Sequence, residues 1–105
     1  MNNGKNYEKH VARKMRRRFF LFVRVSGKSG DYGADVMART FPLMRRVVVQ
    51  CKHYKKPVGV EAVQEAISAR EYYRASKAIV ASNNTFTRNA KKLAAKCGVE
   101  LWERF

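Results

Sequence analysis

The sequence is short of acids, of cysteine and of long apolar runs. Against 23 Lys and Arg stand only 8 Asp and Glu, a formal net charge of +15 over 105 residues. Its two cysteines are too few for a disulfide scaffold and fit neither common zinc spacing. Cys51 and Cys97 read instead as small buried hydrophobes of a chain in a reducing, cytoplasmic setting. The longest early apolar run, Phe19 to Val23, has five residues, whereas a membrane span needs about 20. The polar opening Met1-Asn-Asn-Gly has no secretory character. A soluble protein with no membrane partner is expected. No Pro/Ser/Gly-rich linker, internal repeat or low-complexity stretch breaks the chain, so residues 1–105 read as one domain with a single core.

What is present is apolar and basic together. A hydrophobic fraction of 46% excludes a disordered basic tail. Like charges at this density repel one another in a compact fold, and a phosphate backbone relieves that repulsion while releasing counterions. Nucleic acid is the expected partner, with a merely basic surface as the plain alternative. The charge is also lopsided. Residues 1–58 hold 15 Lys/Arg and three acids, whereas residues 59–105 hold 8 and five. The three acids are Glu8, Asp31 and Asp35. In a face built for phosphate a carboxylate repels the ligand unless it holds a cation, which makes each a candidate metal ligand. A helix ion pair at Glu8 and a turn at Asp31 account for those two equally well.

Periodicity gives the element order αβββαβαβ. Asn6 caps a helix over about Tyr7 to Arg18, with Tyr7, Val11 and Met15 on its buried side and a basic outer surface. Strands follow at Phe19 to Val25, about Ala34 to Thr40, and Arg46 to Lys52, the last two joined by a hairpin turn at Phe41-Pro-Leu-Met. Val60 to Arg74 reads as a helix with Val60, Val63, Ile67 and Tyr73 facing inward, since Tyr72 and Tyr73 cannot both face the core. Lys77 to Ser82 is a short buried strand. Thr87 caps a helix over Arg88 to Cys97, Gly98 stops it, and Val99 to Trp102 is a last strand with Trp102 as a core anchor. The strand, helix, strand passage after the hairpin implies a parallel crossover. The fold class is therefore α/β, with helices flanking a mixed central sheet.

The chemistry concentrates in the hairpin. In the strand Arg46 to Lys52, Gln50 and Lys52 share one face while Val49 and Cys51 share the other. If the turn centres between Pro42 and Leu43, Asp35 lies directly opposite Gln50, where paired Cβ atoms sit about 4.5–5.5 Å apart. A one-residue slip would undo the convergence of Asp35, Gln50 and Lys52. The Asp35 carboxylate, the Gln50 amide oxygen and the Cys51 backbone carbonyl are hard oxygen donors of the kind Mg²⁺ takes, with Mn²⁺ as a substitute. Such an ion suits phosphodiester hydrolysis, and Lys52 would orient the attacking water or stabilise the transition state. Glu8 is a candidate fourth catalytic group, acting through water. A solvated strand end is the bland explanation for Gln-x-Lys alone.

The ordered motifs go further. Tyr7-Glu8, then Gly30-Asp-Tyr-Gly-Ala-Asp35-Val-Met-Ala, Val48-Val-Gln50-Cys-Lys52-His-Tyr, Val58-Gly-Val-Glu-Ala-Val-Gln64-Glu, Ala78-Ile-Val-Ala-Ser-Asn-Asn-Thr-Phe-Thr87-Arg-Asn-Ala90 and Gly98-Val-Glu-Leu-Trp102 resemble the Mrr-like branch of the PD-(D/E)XK restriction-endonuclease superfamily. The resemblance runs from Tyr7 to Trp102. It implies an αβββαβ core, extended here by a helix and a short strand, and a metal-dependent DNA endonuclease. Asp35 and Gln50 would stand at the metal, Lys52 would be the catalytic lysine, and Glu8 and Gln64 would lie near the site. Arg16-Arg-Arg-Phe stands where the family usually has a Gly-Phe turn. A lone nuclease core needs a further source of grip, and a symmetric homodimer supplies one.

Candidate DNA contacts are Arg17, Lys28, Lys55, Lys56, Gln64, Ser82 and Asn83, with Tyr54 beside the two lysines of the loop. His53 faces away from the site in a regular strand and reads as a loop-edge residue. Two other functions fit the same residues: a structure-specific nuclease such as a Holliday-junction resolvase, which normally has Glu rather than Gln at the Gln50 position, and a non-catalytic DNA-binding module.

Overall fold

A computed structural model describes residues 3–26 and 35–105. Lys28 and Asp31 lie outside the described residues. The elements are α1 (Asn3–Arg17), β1 (Leu21–Val25), β2 (Val36–Arg39), β3 (Arg46–Lys52), α2 (Val60–Tyr72), β4 (Lys77–Ser82), α3 (Arg88–Cys97) and β5 (Val99–Trp102). The five strands form one sheet in the order β1-β2-β3-β4-β5. β1, β2 and β3 pair antiparallel, while β3, β4 and β5 run parallel. This is the expected mixed sheet, and α2 makes the crossover between β3 and β4. Among the described residues no helix is long and apolar enough to cross a membrane.

The sheet buries both faces because β3 and β4 are apolar on both. On one face Val47, Val49, Ile79 and Ala81 pack against Tyr7, Val11, Ala12 and Met15 of α1. On the other, Val48, Ala78 and Val80 pack against α2 and α3. The inward face of α2 differs from the expectation. Ala62, Val63, Ala66 and Ala69 are its buried residues, whereas Val60 and Ile67 are only half-buried. Alanines at this spacing let the helix axis sit close to the sheet, leaving the larger side chains at the margin. Tyr73 is half-buried, as one of the pair had to be. Tyr72 lies outside and meets it edge-on, ring centroids 4.9 Å apart.

Local signals set the ends. Thr87 caps α3 by accepting a hydrogen bond from Ala90 N, and Gly98 stops it in the left-handed region at φ 68°. α1 begins at Asn3, so Asn6 lies inside the helix rather than capping it. Once Tyr7, Val11 and Met15 fix the helix, another turn costs little. At its other end, Phe19 takes φ 69°, and β1 starts two residues later than expected. That backbone costs a side-chain-bearing residue about 1–2 kcal/mol, and Phe19 is 81% exposed, so little packing repays it. Phe19→Gly is expected to stabilise the fold by about 0.5–1 kcal/mol, net of the chain entropy glycine adds, raising Tm by several degrees. Calorimetry in dilute solution checks this, and a lower Tm would contradict it.

Trp102 sits at the rim rather than in the centre. It is half-buried between Phe20 (5.9 Å) and Phe105 (4.6 Å), measured between ring centroids. Cys51 and Cys97 are unpaired and half-buried, not fully enclosed.

Candidate active site

The hairpin register is the expected one as far as Val36. Val36 pairs with Val49 and Met37 with Val48, but Asp35 N also donates to Val49 O, at 2.9 Å, so the regular ladder ends at Val36 and the expected pairing of Asp35 with Gln50 is not made. Asp35 Oδ2 accepts the Cys51 amide at 2.8 Å, which ties the carboxylate to the strand carrying the other two groups. Gln50 is 5% exposed. Its Nε2 donates to Glu65 Oε1 at 3.3 Å, while its Oε1 is buried without a hydrogen-bond partner. The Lys52 ammonium lies 2.7 Å from the same Glu65 oxygen. Glu8 makes a side-chain hydrogen bond to Asp35. Two carboxyls in such contact need a proton or a cation between them.

The electrostatics follow from this crowding. Burial raises the Asp35 carboxyl above its ordinary value. The Cys51 amide and the Lys52 charge oppose that rise, Glu65 adds to it, and the Glu8 hydrogen bond offsets part of it. For Lys52 burial acts downward, but Glu65 outweighs it, helped by Tyr54 and Asp35, and the ammonium is held charged. The Cys51 thiol is pushed up by burial, then by Asp35 and Glu8. It stays protonated, which leaves the backbone carbonyl as the donor Cys51 has to offer a hard ion.

A group whose folded-state value is raised adds stability below its ordinary range, and that contribution is lost as pH rises through the raised value. Above that raised value and without a cation, the Asp35 charge therefore works against folding. Asp35→Asn keeps an oxygen for the Cys51 amide and removes the charge. It is expected to raise Tm in EDTA. A Tm below that of the parent would contradict this.

The remaining expected contacts divide. Lys55 and Lys56 are exposed and line a groove of ≈ 700 Å³ with His53, Tyr54, Pro57, Val58 and the start of α2. Arg17 is exposed but lies nine residues beyond Glu8, roughly 13–14 Å along the helix. Ser82 and Asn83 do not present themselves to phosphate. Ser82 is fully buried and its Oγ accepts the Asn84 amide. Asn83 Oδ1 accepts Tyr54 N at 2.8 Å and its Nδ2 donates to Tyr54 O at 3.0 Å. That side chain staples the loop after β3, and a Val58–Phe86 bridge holds the far end of the same loop. Gln64 is exposed on α2; its neighbour Glu65 is the residue that reaches the site. His53 is exposed on the α1 side, its ring 5.3 Å from that of Tyr7.

The donor set suits a hard divalent ion. Among the described residues no three His, Cys, Asp or Glu side chains gather into a metal cluster. An amide oxygen and a backbone carbonyl fall outside such a grouping, however. A buried, unpartnered Gln50 Oε1 on the same strand that holds the crowded Asp35 carboxylate is what a cation would relieve.

A mixed five-stranded sheet, with Asp35 tied to the Gln-x-Lys strand at the open end of its hairpin, defines a restriction-endonuclease-like fold. Residues 1–104 match the family model Mrr_cat, described as "Restriction endonuclease", and the chain belongs to that family. Among solved structures it is similar to the protein of unknown function AF1548 (TM-score 0.76, 21% identity, 97% of this chain and 58% of that one). It is also similar to a repair endonuclease from Pyrococcus abyssi (0.70, 21%, 98% and 47%), and to EndoMS in a complex with double-stranded DNA (0.70, 18%, 98% and 45%). The chain thus spans about half the length of these structures. No curated protein matches it.

Proposed function

We propose that this chain is a Mg²⁺-dependent endonuclease hydrolysing DNA phosphodiester bonds, with Mn²⁺ able to replace Mg²⁺. The observation that carries the reading is Gln50 Oε1, buried without a partner on the strand whose Cys51 amide holds Asp35, while its Nε2 shares Glu65 with Lys52. Family membership supports nuclease chemistry, and the net charge of +15 supports a polyanionic substrate. The EndoMS structure contains double-stranded DNA, which favours a duplex.

In this reading Asp35 and Gln50 Oε1 hold the ion and the Cys51 carbonyl completes the protein donors. When bound, such an ion supplies Lewis acidity, lowering the pKa of a water and offsetting charge on the phosphoryl oxygens. Lys52 has three donors and gives one to Glu65, leaving two for a phosphate oxygen or the attacking water. Glu8, hydrogen-bonded to Asp35, is the fourth catalytic group and acts through water. Lys55 and Lys56 track the backbone along the groove. Plasmid nicking with and without Mg²⁺ tests the proposal: nicking is expected with Mg²⁺ and absent in EDTA, and cleavage indifferent to EDTA would overturn it.

The proposal includes a homodimer and a reducing, cytoplasmic setting, the latter supported by two unpaired thiols. The dimer is supported by Phe22, Phe41 and Leu43, which are 74%, 69% and 68% exposed on β1 and the β2–β3 turn. Two aromatic rings of about 150–250 Å² each supply much of the apolar area a standard interface of about 800 Å² per partner needs. Sedimentation in about 0.2 M salt, where Debye screening weakens self-repulsion, is expected to show a dimer that the double variant Phe22→Ser/Leu43→Ser dissociates. A monomeric parent would contradict this.

A further inference from the structure

A carboxamide binds a hard cation through its oxygen alone, yet its two ends are nearly the same shape. A glutamine used as a ligand therefore needs something to decide which end faces the ion. At Gln50 the decision is visible. Nε2 donates to Glu65 Oε1 at 3.3 Å, and Oε1 is left buried and unpartnered. Turned the other way, the amide would set its oxygen against a carboxylate oxygen, two acceptors face to face. The same Glu65 oxygen receives the Lys52 ammonium at 2.7 Å. One atom on α2 thus touches both functional side chains of β3.

We propose that Glu65 is the positioning residue of this site: it accepts the Gln50 Nε2–H to aim Oε1 at the ion, and fixes the Lys52 ammonium beside it. The inference rests on the metal-dependent reading above. Glu65 is not a catalytic residue in this assignment, since it acts through Gln50 and Lys52. An ordinary surface ion pair would account for the contact with Lys52, for the Glu65 side chain is 47% exposed. It would not account for the amide being held in one orientation.

Two neutral replacements separate these roles. Glu65→Gln and Glu65→Leu both abolish the charge and the ion pair, but only Glu65→Gln keeps a side-chain oxygen to accept from Gln50. The readout is the Kd of Mn²⁺ by titration calorimetry on the full chain, with Gln50 and again with Gln50→Glu. Glutamate has two equivalent oxygens and needs no orienting partner. In the Gln50 protein, Glu65→Leu is expected to bind Mn²⁺ about 10-fold more weakly than Glu65→Gln, the usual scale for losing a partner that orients a ligand. With Gln50→Glu, the two should agree within about 2-fold, because either carboxylate oxygen can face the ion. Melting in EDTA verifies that each variant folds, and Glu65→Met replaces Glu65→Leu should the latter fail. An equal gap in both backgrounds, or no gap while the parent binds Mn²⁺, overturns the positioning role and leaves the metal reading standing. No Mn²⁺ binding by the parent or by Gln50→Glu overturns the metal reading and this inference with it.

Discussion

Lys52→Ala is expected to cut the rate of plasmid nicking by at least about 10³-fold, with duplex affinity changed only a few fold. Removing one preorganised donor to a developing negative charge costs about 10²–10³ in turnover, and in the proposed mechanism Lys52 also orients the attacking water. Its side chain is 17% exposed and the adjacent Glu65 keeps it charged, so the ammonium is already in place before substrate arrives. Affinity is spread differently. With 23 Lys and Arg on the chain, losing one phosphate contact weakens binding slightly and lowers the salt slope by about 1. Asp35→Ala should match the loss of nicking for a different reason, because it removes the one carboxylate among the proposed metal donors. More than about a tenth of parental activity in Lys52→Ala would contradict the role given to it, being far above the loss expected for such a donor.

The second large effect is on stability. Met15→Ala is expected to cost about 2–5 kcal/mol, a Tm drop on the order of 10 °C or more. Met15 is fully buried between α1 and the sheet, in one cluster with Val11, Val23, Val49 and Ile79. A methionine there fills irregular space that the cluster cannot close after truncation. Total stabilities of domains run to about 5–15 kcal/mol, so the change removes a large share. Because α1 also carries Glu8 and Tyr7, the loss should extend to the site and weaken Mn²⁺ binding. Denaturant titration gives the number, and a loss under about 1 kcal/mol would mean that α1 is not part of the core in the way its burial indicates.

The parts of the fold fixed by short-range stereochemistry were legible in the sequence. A turn centred at Pro42 and Leu43 dictates which residues face each other, and the pairing of Val36 with Val49 follows it. Arg46–Lys52, Lys77–Ser82 and Arg88–Cys97 begin and end where expected, because β-branched runs, the Thr87 cap and Gly98 leave little choice. α2 was read less well inside its bounds. Valine and isoleucine carry the strongest apolar signal, but alanine is what lets a helix approach a sheet, and Ala62, Ala66 and Ala69 hold the buried stripe.

The site divides in the same way. The shared face of Gln50 and Lys52 follows from strand alternation, and the approach of Asp35 to their strand from a hairpin register that holds as far as Val36. Glu65 does not, since a half-exposed glutamate on a helix looks like any solvated charge. Its part depends on how α2 lies over the end of β3, 15 residues away in sequence from Gln50. One cue was available: Glu65 immediately precedes Ala66, at the edge of the alanine stripe rather than opposite it. Ser82 and Asn83 fail as phosphate donors for a related reason. Their polar atoms are recognisable as loop chemistry, but the partner that occupies Asn83 is the Tyr54 backbone, 29 positions earlier.

A crystal of the protein soaked in Mn²⁺ and measured for anomalous scattering is the most direct measurement. A single strong peak is expected within coordination distance, about 2.0–2.6 Å, of both an Asp35 carboxylate oxygen and Gln50 Oε1, and Asp35→Ala should erase it. A peak elsewhere on the molecule, with Gln50 Oε1 still without a partner, would contradict the assignment.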